Sequence, residues 1–251
     1  MKIDLSARLA VITGGSRGLG EAMAWALSAA GASVALVARD DARLRNVRDG
    51  LVAAGGKADY FIADVTQESD VLRVAQEIRE RMGAPQILVN NAGTNVRKPL
   101  DELTKSEFMS VIESSLLSTF LVSRAFVAGM KQAGFGRIIN MTSMLSHVSL
   151  PGRTPYSSAK SSLLGFIRAL ALETAAHGVT VNGISPGPIG TELNRVVMDD
   201  PVANAQFLAH LPVGRWGKVE EIGALACFLA SEHAGFITGT DIVIDGGWTA
   251  R

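Results

Sequence analysis

A single cysteine in 251 residues, Cys227, excludes an intramolecular disulfide and any cysteine-rich metal site. It lies in the apolar stretch 223–230 and reads as a small core residue, and no metal site is expected elsewhere. Net charge is absent too. The 24 basic and 24 acidic side chains cancel, which removes any global electrostatic case for nucleic acid or an anionic membrane as partner. No apolar run approaches the ~20 residues that span a bilayer, and residues 1–10 hold no apolar core of signal-peptide length. The expectation is a soluble, cytoplasmic protein. Repeats, low-complexity tracts and linkers are also missing. Hydrophobic residues make up 47%, charged residues 19%, and mean hydropathy is +0.24, a composition that argues against disorder and for a sizeable core.

What is present alternates. Runs at 9–13, 34–38, 59–62, 87–90, 137–141, 180–184 and 241–244 read as strands, several of them apolar on both faces. Helical patterns fall near 20–30, 40–54, 67–82, 105–131, 155–176 and 219–231, and Thr104 with Glu107 predicts a capping box for the fourth. The pattern is that of a single-domain, doubly wound α/β fold of Rossmann type. Its parallel sheet has about seven strands, with helices on both faces. The segment 186–215 breaks the rhythm between a strand and the next strong helix. Its Gly/Pro-rich start makes it a candidate substrate-covering lid, and Asp200-Pro201 predicts a short helix within it.

The first strand runs into Thr13-Gly14-Gly15-Ser16-Arg17-Gly18-Leu19-Gly20, spaced Gly-x-x-x-Gly-x-Gly rather than G-x-G-x-x-G. Glycines there let backbone N–H groups approach a pyrophosphate at a helix N-terminus. A simple turn fits the same residues. The second strand ends Val37-Ala38-Arg39-Asp40. Ala38 cannot bind a ribose diol, whereas Arg39 can bind a 2′-phosphate, with Arg17 and Ser16 adding a cation and a hydroxyl. NADP(H) is therefore favoured over NAD(H), although Asp40 could turn towards the ribose.

Tyr156 and Lys160 stand one helical turn apart behind Thr154, which suits an N-cap, and Pro155, which suits the first helical position. A cation and a helix N-terminus beside a phenol favour the phenolate. Ionising a tyrosine at neutrality takes roughly 4 kcal/mol, given its ordinary pKa of ~10. A chance pairing on one exposed face fits these two residues equally well.

Together the glycine loop at 13–20, Asp64-Val65, Asn90-Asn91-Ala92-Gly93, Ser143, Tyr156 with Lys160, and Pro186-Gly187 resemble the short-chain dehydrogenase/reductase family in order and spacing, over essentially the whole chain. The resemblance implies that Tyr156 is the general acid/base, that Lys160 lowers its pKa and binds the nicotinamide ribose, and that Ser143 hydrogen-bonds the substrate oxygen. It implies cofactor contacts from Gly14, Ser16, Arg17, Gly18, Leu19, Gly20 and Arg39, from Asp64 and Val65 at the adenine, and from Asn91, Ala92 and Gly93 in the cleft. Pro186, Gly187, Ile189 and Thr191 complete that set beside the nicotinamide. At the position where the family usually carries an asparagine that completes a proton relay to the lysine, this chain has Ser115. A serine suffices there if the relay uses a backbone carbonyl freed by a helix kink.

Arg97-Lys98-Pro99-Leu100, Gly214-Arg215-Trp216-Gly217 and the ending at 245–250 resemble the gluconate 5-dehydrogenase and sugar-acid reductase branch. Arg97 could pair with a substrate carboxylate, or stand as a surface arginine. His147 could meet a substrate hydroxyl, or pack at the rim. A 3-oxoacyl thioester reductase is the runner-up, and a catalytically quiet NADP(H)-binding sensor is a further alternative. Resemblance also implies a homotetramer, with a dimer still compatible.

Overall fold

The structure, a computed structural model, describes residues 3–250 apart from the side chain of Leu193, so of the expected single unit 1–251 only Met1, Lys2 and Arg251 lie outside it. Seven strands, β1 (Leu9–Thr13), β2 (Ser33–Ala38), β3 (Ala58–Ile62), β4 (Ile87–Asn90), β5 (Gly136–Met141), β6 (Val179–Pro186) and β7 (Asp241–Ile244), form one sheet in the order β3-β2-β1-β4-β5-β6-β7. Every neighbouring pair is parallel. Between strands run α1 (Gly18–Ala29), α2 (Asp41–Ala53), α3 (Glu68–Met82), α4 (Lys105–Ile112), α5 (Ser118–Gln132), α6 (Thr154–Thr174), the short α7 (Arg195–Met198) and α8 (Pro201–Leu208), and α9 (Val219–Ala230).

The period-2 alternation of the central strands divides the core. Ala10, Ile12, Ile87 and Val89 face α1, α2 and α9 through Met23, Leu27, Leu51 and Ile222. Leu9, Val11 and Leu88 face α3, α5 and α6 through Val74, Ile78, Leu121 and Ile167. Both faces are thus covered, each fully buried Leu or Ile contributing about 1.5–3 kcal/mol. Cys227 is buried in the first cluster, where desolvation raises its thiol to about 11 and leaves it inert. Strand order reverses between β1 and β4, so the crevice beyond their C-terminal ends is where an open α/β sheet accepts a ligand.

Local chemistry sets the helix starts. Thr104 accepts from Glu107 N while the Glu107 carboxylate accepts from Thr104 N at 2.9 Å, the expected capping box. Lys98 pairs with the same carboxylate and, with these bonds, holds it down to about 2. Asp200 caps α8 through Val202 N and Ala203 N, with Pro201 following. Two expectations need correction. Thr154 is the first residue of α6 rather than its cap, and Arg153 takes the N-cap position without a side-chain cap bond. The helix expected over 105–131 is divided by a π turn at Glu113–Leu117, where Ser118 N reaches back to Glu113 O. The whole run Lys105–Gln132 is also long and apolar enough by length and composition to cross a membrane, although polar residues interrupt it throughout. Of its apolar window 44% is buried inside the molecule.

Candidate active site

The loops after β1 and β4 are stitched together. Thr13 Oγ1 accepts from Asn91 N at 3.0 Å and Ala92 N at 3.1 Å, and Asn91 Nδ2 donates to Thr13 O and Gly14 O. A Cβ at Gly20 would stand 2.2 Å from Gly14 O, so only glycine lets α1 start this close to the loop. Gly18 has φ +58° and open space where a Cβ would project. No side chain caps α1, which leaves its first-turn N–H groups to an anion from outside the chain. These residues fit a dinucleotide pyrophosphate. The Ile189 side chain is buried in the core, and Leu19 packs against that core while staying partly exposed.

Two features bear on the adenosine end. Asp40, which could have turned to a ribose, instead accepts from Arg43 N at 3.1 Å to cap α2 and pairs with the Arg43 side chain at 3.4 Å. Arg39 is 78% exposed and 3.6 Å from Asp64, whose other oxygen accepts from Thr66. Among the described residues the Arg17 side chain has no hydrogen-bonding or ionic partner. A groove of about 870 Å³ runs from Ser16, Arg17 and Gly18 past Arg43 to Gly190 and Thr191, so the glycine loop and the start of the 186–215 segment border one space.

At the other end β5 delivers Ser143, whose Oγ accepts from Leu145 N at 3.1 Å at the start of a short 3-10 turn. Lys160 is 5% exposed, donates to Met141 O at 2.5 Å, and lies 5.7 Å from the Tyr156 ring centroid. Burial lowers the lysine to about 8. Burial also raises Tyr156 above its ordinary value, the opposite of the expected direction. The groups that oppose that rise are the Ser143 hydroxyl and then the charges of Arg153 and Arg97, not Lys160. Sequence reasoning missed Arg153. Its spacing of three from Tyr156, on the same helix start, was the available signal.

Ser115 sits in the π turn, 1% exposed, with its Oγ buried and unpartnered. Its carbonyl accepts from Thr119 Oγ1 at 2.7 Å. A Cβ at Gly93 would stand 3.3 Å from Ser115 Oγ and 3.8 Å from Lys160 Nζ, so the structure brings all three to one place. Arg97 is exposed on the loop after β4. The His147 ring turns to Asp241, with Nε2 2.7 Å from Oδ2. Beyond β6, Gly187 N donates to Ile244 O, and Asn194 Nδ2 donates to Ile189 O, fixing the Pro186-Gly187 turn and the approach to Thr191.

A family model described as enoyl-(acyl carrier protein) reductase matches residues 14–249. Gluconate 5-dehydrogenase of Gluconobacter oxydans is 34% identical over 246 residues, 98% of this chain and 96% of that protein. The 3-oxoacyl-(acyl-carrier-protein) reductase of Escherichia coli K12 is 36% identical over 245 residues, 98% of each chain. The crystal structure of a gluconate 5-dehydrogenase from Burkholderia cenocepacia in complex with NADP and tartrate superposes with a TM-score of 0.95 at 33% identity, covering 100% of this chain and 98% of that one.

Proposed function

The chain belongs to the short-chain dehydrogenase/reductase family, and from that premise we propose that it interconverts a secondary alcohol and a ketone on a sugar acid or polyol, using NADP(H). The observation that carries the reading is the convergence of Ser143, Tyr156 and Lys160 at the end of β5, between a dinucleotide cradle and the exposed Arg97. Relatives named for gluconate, one of them crystallised with NADP and tartrate, support the same substrate class.

NADP(H), when bound, supplies or accepts the hydride. Tyr156 Oη gives its proton to the carbonyl oxygen in reduction and takes it back in oxidation. A phenol held above its ordinary value is protonated at neutral pH and ready to donate. Ser143 Oγ hydrogen-bonds the same oxygen. Lys160 spends one of its three donors on Met141 O, which leaves two for the ribose hydroxyls and for a proton path past Ser115. Arg39 and Arg17 hold the 2′-phosphate, and Arg97 pairs with the carboxylate.

The segment 186–215 closes over the substrate. Trp216 stacks on Phe207 at 4.6 Å and donates to Asn204 Oδ1, so tryptophan fluorescence reports that closure when NADP⁺ and substrate are added together. No fluorescence change would remove the lid. Exposed Met109, Leu117, Phe120 and Leu172 on the α4–α6 face suit burial in a homotetramer. Light scattering should then give four times the 26.4 kDa chain, and a monomer would contradict it.

The direct test is loss of nicotinamide absorbance with NADPH and 5-ketogluconate, with NADH and an acetoacetyl thioester as parallel controls. Turnover of the sugar acid with NADPH supports the reading. Turnover of the thioester alone transfers the chain to the runner-up. Silence on every carbonyl, with NADPH still bound, points to the sensor.

A further inference from the structure

Arg153 Nη1 is shut off from solvent and has no hydrogen-bond partner. A buried, charged donor left unmade is costly, so a chain that keeps one holds it for something. The neighbourhood shows what is missing. A Cβ at Gly152 would lie 3.6 Å from Lys98 O, so the turn carrying Arg153 rests on the backbone beside Arg97. Among the described residues neither guanidinium has an ion-pair, hydrogen-bond or ring partner. They repel each other, and the group of opposite tendency that they share is the Tyr156 phenol. Two cations from loops after two different strands, brought together by the Gly152–Lys98 backbone approach and both acting on Tyr156, lack an anion between them.

Building on the sugar-acid reading, we propose that Arg153 and Arg97 together clamp the substrate carboxylate, with Arg153 as the inner arm that makes this chain select acids over neutral ketoses. Planar guanidiniums suit this task, because each can offer paired N–H donors to a carboxylate. Arg97 alone is exposed and would be screened, whereas Arg153 is half-buried, with Nη1 enclosed by the protein and its other donor nitrogens left to meet an anion in a partly desolvated place. The site takes a hydroxy- or keto-acid whose carboxylate lies a few bonds from the carbonyl. A neutral sugar leaves both charges unanswered.

The test uses tartrate as the binding probe on the NADP⁺-loaded enzyme, by calorimetry, in wild type and in Arg153→Gln, Arg153→Lys and Arg97→Gln. The expected result is a loss of about tenfold or more in tartrate affinity for both glutamine variants, the size of one charge-assisted contact. Arg153→Lys recovers part of it, and NADP⁺ affinity stays unchanged as the check on folding. In kinetics, Arg153→Gln raises KM for 5-ketogluconate more than it lowers kcat, and the acid-over-fructose ratio of kcat/KM falls about tenfold. Unchanged tartrate affinity in Arg153→Gln overturns the clamp, and so does a wild type that does not bind tartrate. If wild type ignores 5-ketogluconate yet binds tartrate through Arg153, the sugar-acid reading fails and the clamp stands. If 5-ketogluconate turns over and Arg153→Gln leaves its KM untouched, the reading stands and the clamp fails.

Discussion

His147 Nε2 lies 2.7 Å from Oδ2 of Asp241, a carboxylate only 8% exposed at the first position of β7. The same carboxylate is 2.6 Å from Thr142 Oγ1 and 2.6 Å from Ser185 Oγ, and Ser185 Oγ is 2.9 Å from Ser143 O. One side chain thus ties the turn that presents Ser143 to both β6 and β7.

Replacing Asp241 by Ala should leave the Thr142 and Ser185 hydroxyls without their shared acceptor and free the His147 loop. A stability loss of roughly 2–4 kcal/mol is expected in urea unfolding, with kcat reduced through a less fixed Ser143. A loss under about 1 kcal/mol with unchanged kcat would show that the network does not hold the turn.

Lys160 makes stability depend on pH in a defined window. Its folded value of about 8 lies below the ordinary 10.5, so between these values the unfolded chain carries a proton that the folded chain has lost. Stability therefore rises with pH from 8 towards 10.5, by roughly 3 kcal/mol at the order-of-magnitude level. Tyr156 acts oppositely, since a phenol raised above 10 costs stability once the unfolded tyrosine ionises. Cys227 acts oppositely too, because its thiol is raised from 9.0 to about 11, so the interval from pH 8 to 9 isolates the lysine. In Lys160→Met, denaturant midpoints should lose this rise and be higher than wild type at pH 7. A parallel pair of curves would refute the buried charge.

Ser115→Ala removes a buried hydroxyl that has no partner, so folding stability should hold or improve by up to about 1 kcal/mol. If that hydroxyl carries protons to Lys160, kcat falls severalfold in the same variant. Loss of stability together with unchanged kcat would assign Ser115 to packing alone.

If Arg39 holds the 2′-phosphate as proposed, Arg39→Ala should weaken NADPH binding about tenfold or more and leave NADH nearly untouched. Equal losses for both nucleotides, measured by fluorescence titration, would place Arg39 outside the 2′-phosphate site.

Much of this was legible in the chain. All seven strands fall where branched apolar runs stand, because a sheet covered on both faces leaves each strand little choice of composition. The caps at Thr104 and Asp200 were readable for a similar reason, being local bonds within three residues. Asp40 was not resolved, since capping α2 and binding a ribose ask for the same side chain. The π turn at Ser115 was hidden, because it conserves helical composition and changes only the hydrogen-bond register. Arg153 and Asp241 were missed for a different reason. The spacing of Arg153 from Tyr156 was visible, but its meeting with Arg97 was not, and Asp241 matters through Thr142 and Ser185, which sequence spacing does not connect to it.

The central claim is that Tyr156 Oη moves the proton, its acidity set by burial against Ser143, Arg153 and Arg97. The most direct measurement is the pH profile of kcat/KM for alcohol oxidation in wild type, Tyr156→Phe and the Arg97→Gln/Arg153→Gln double variant. The account predicts activity rising with pH in wild type, the rise displaced to higher pH in the double variant, and turnover reduced by about 10²–10⁴ in Tyr156→Phe with NADP⁺ still bound. A Tyr156→Phe enzyme with near-normal turnover and the same pH profile as wild type would contradict it.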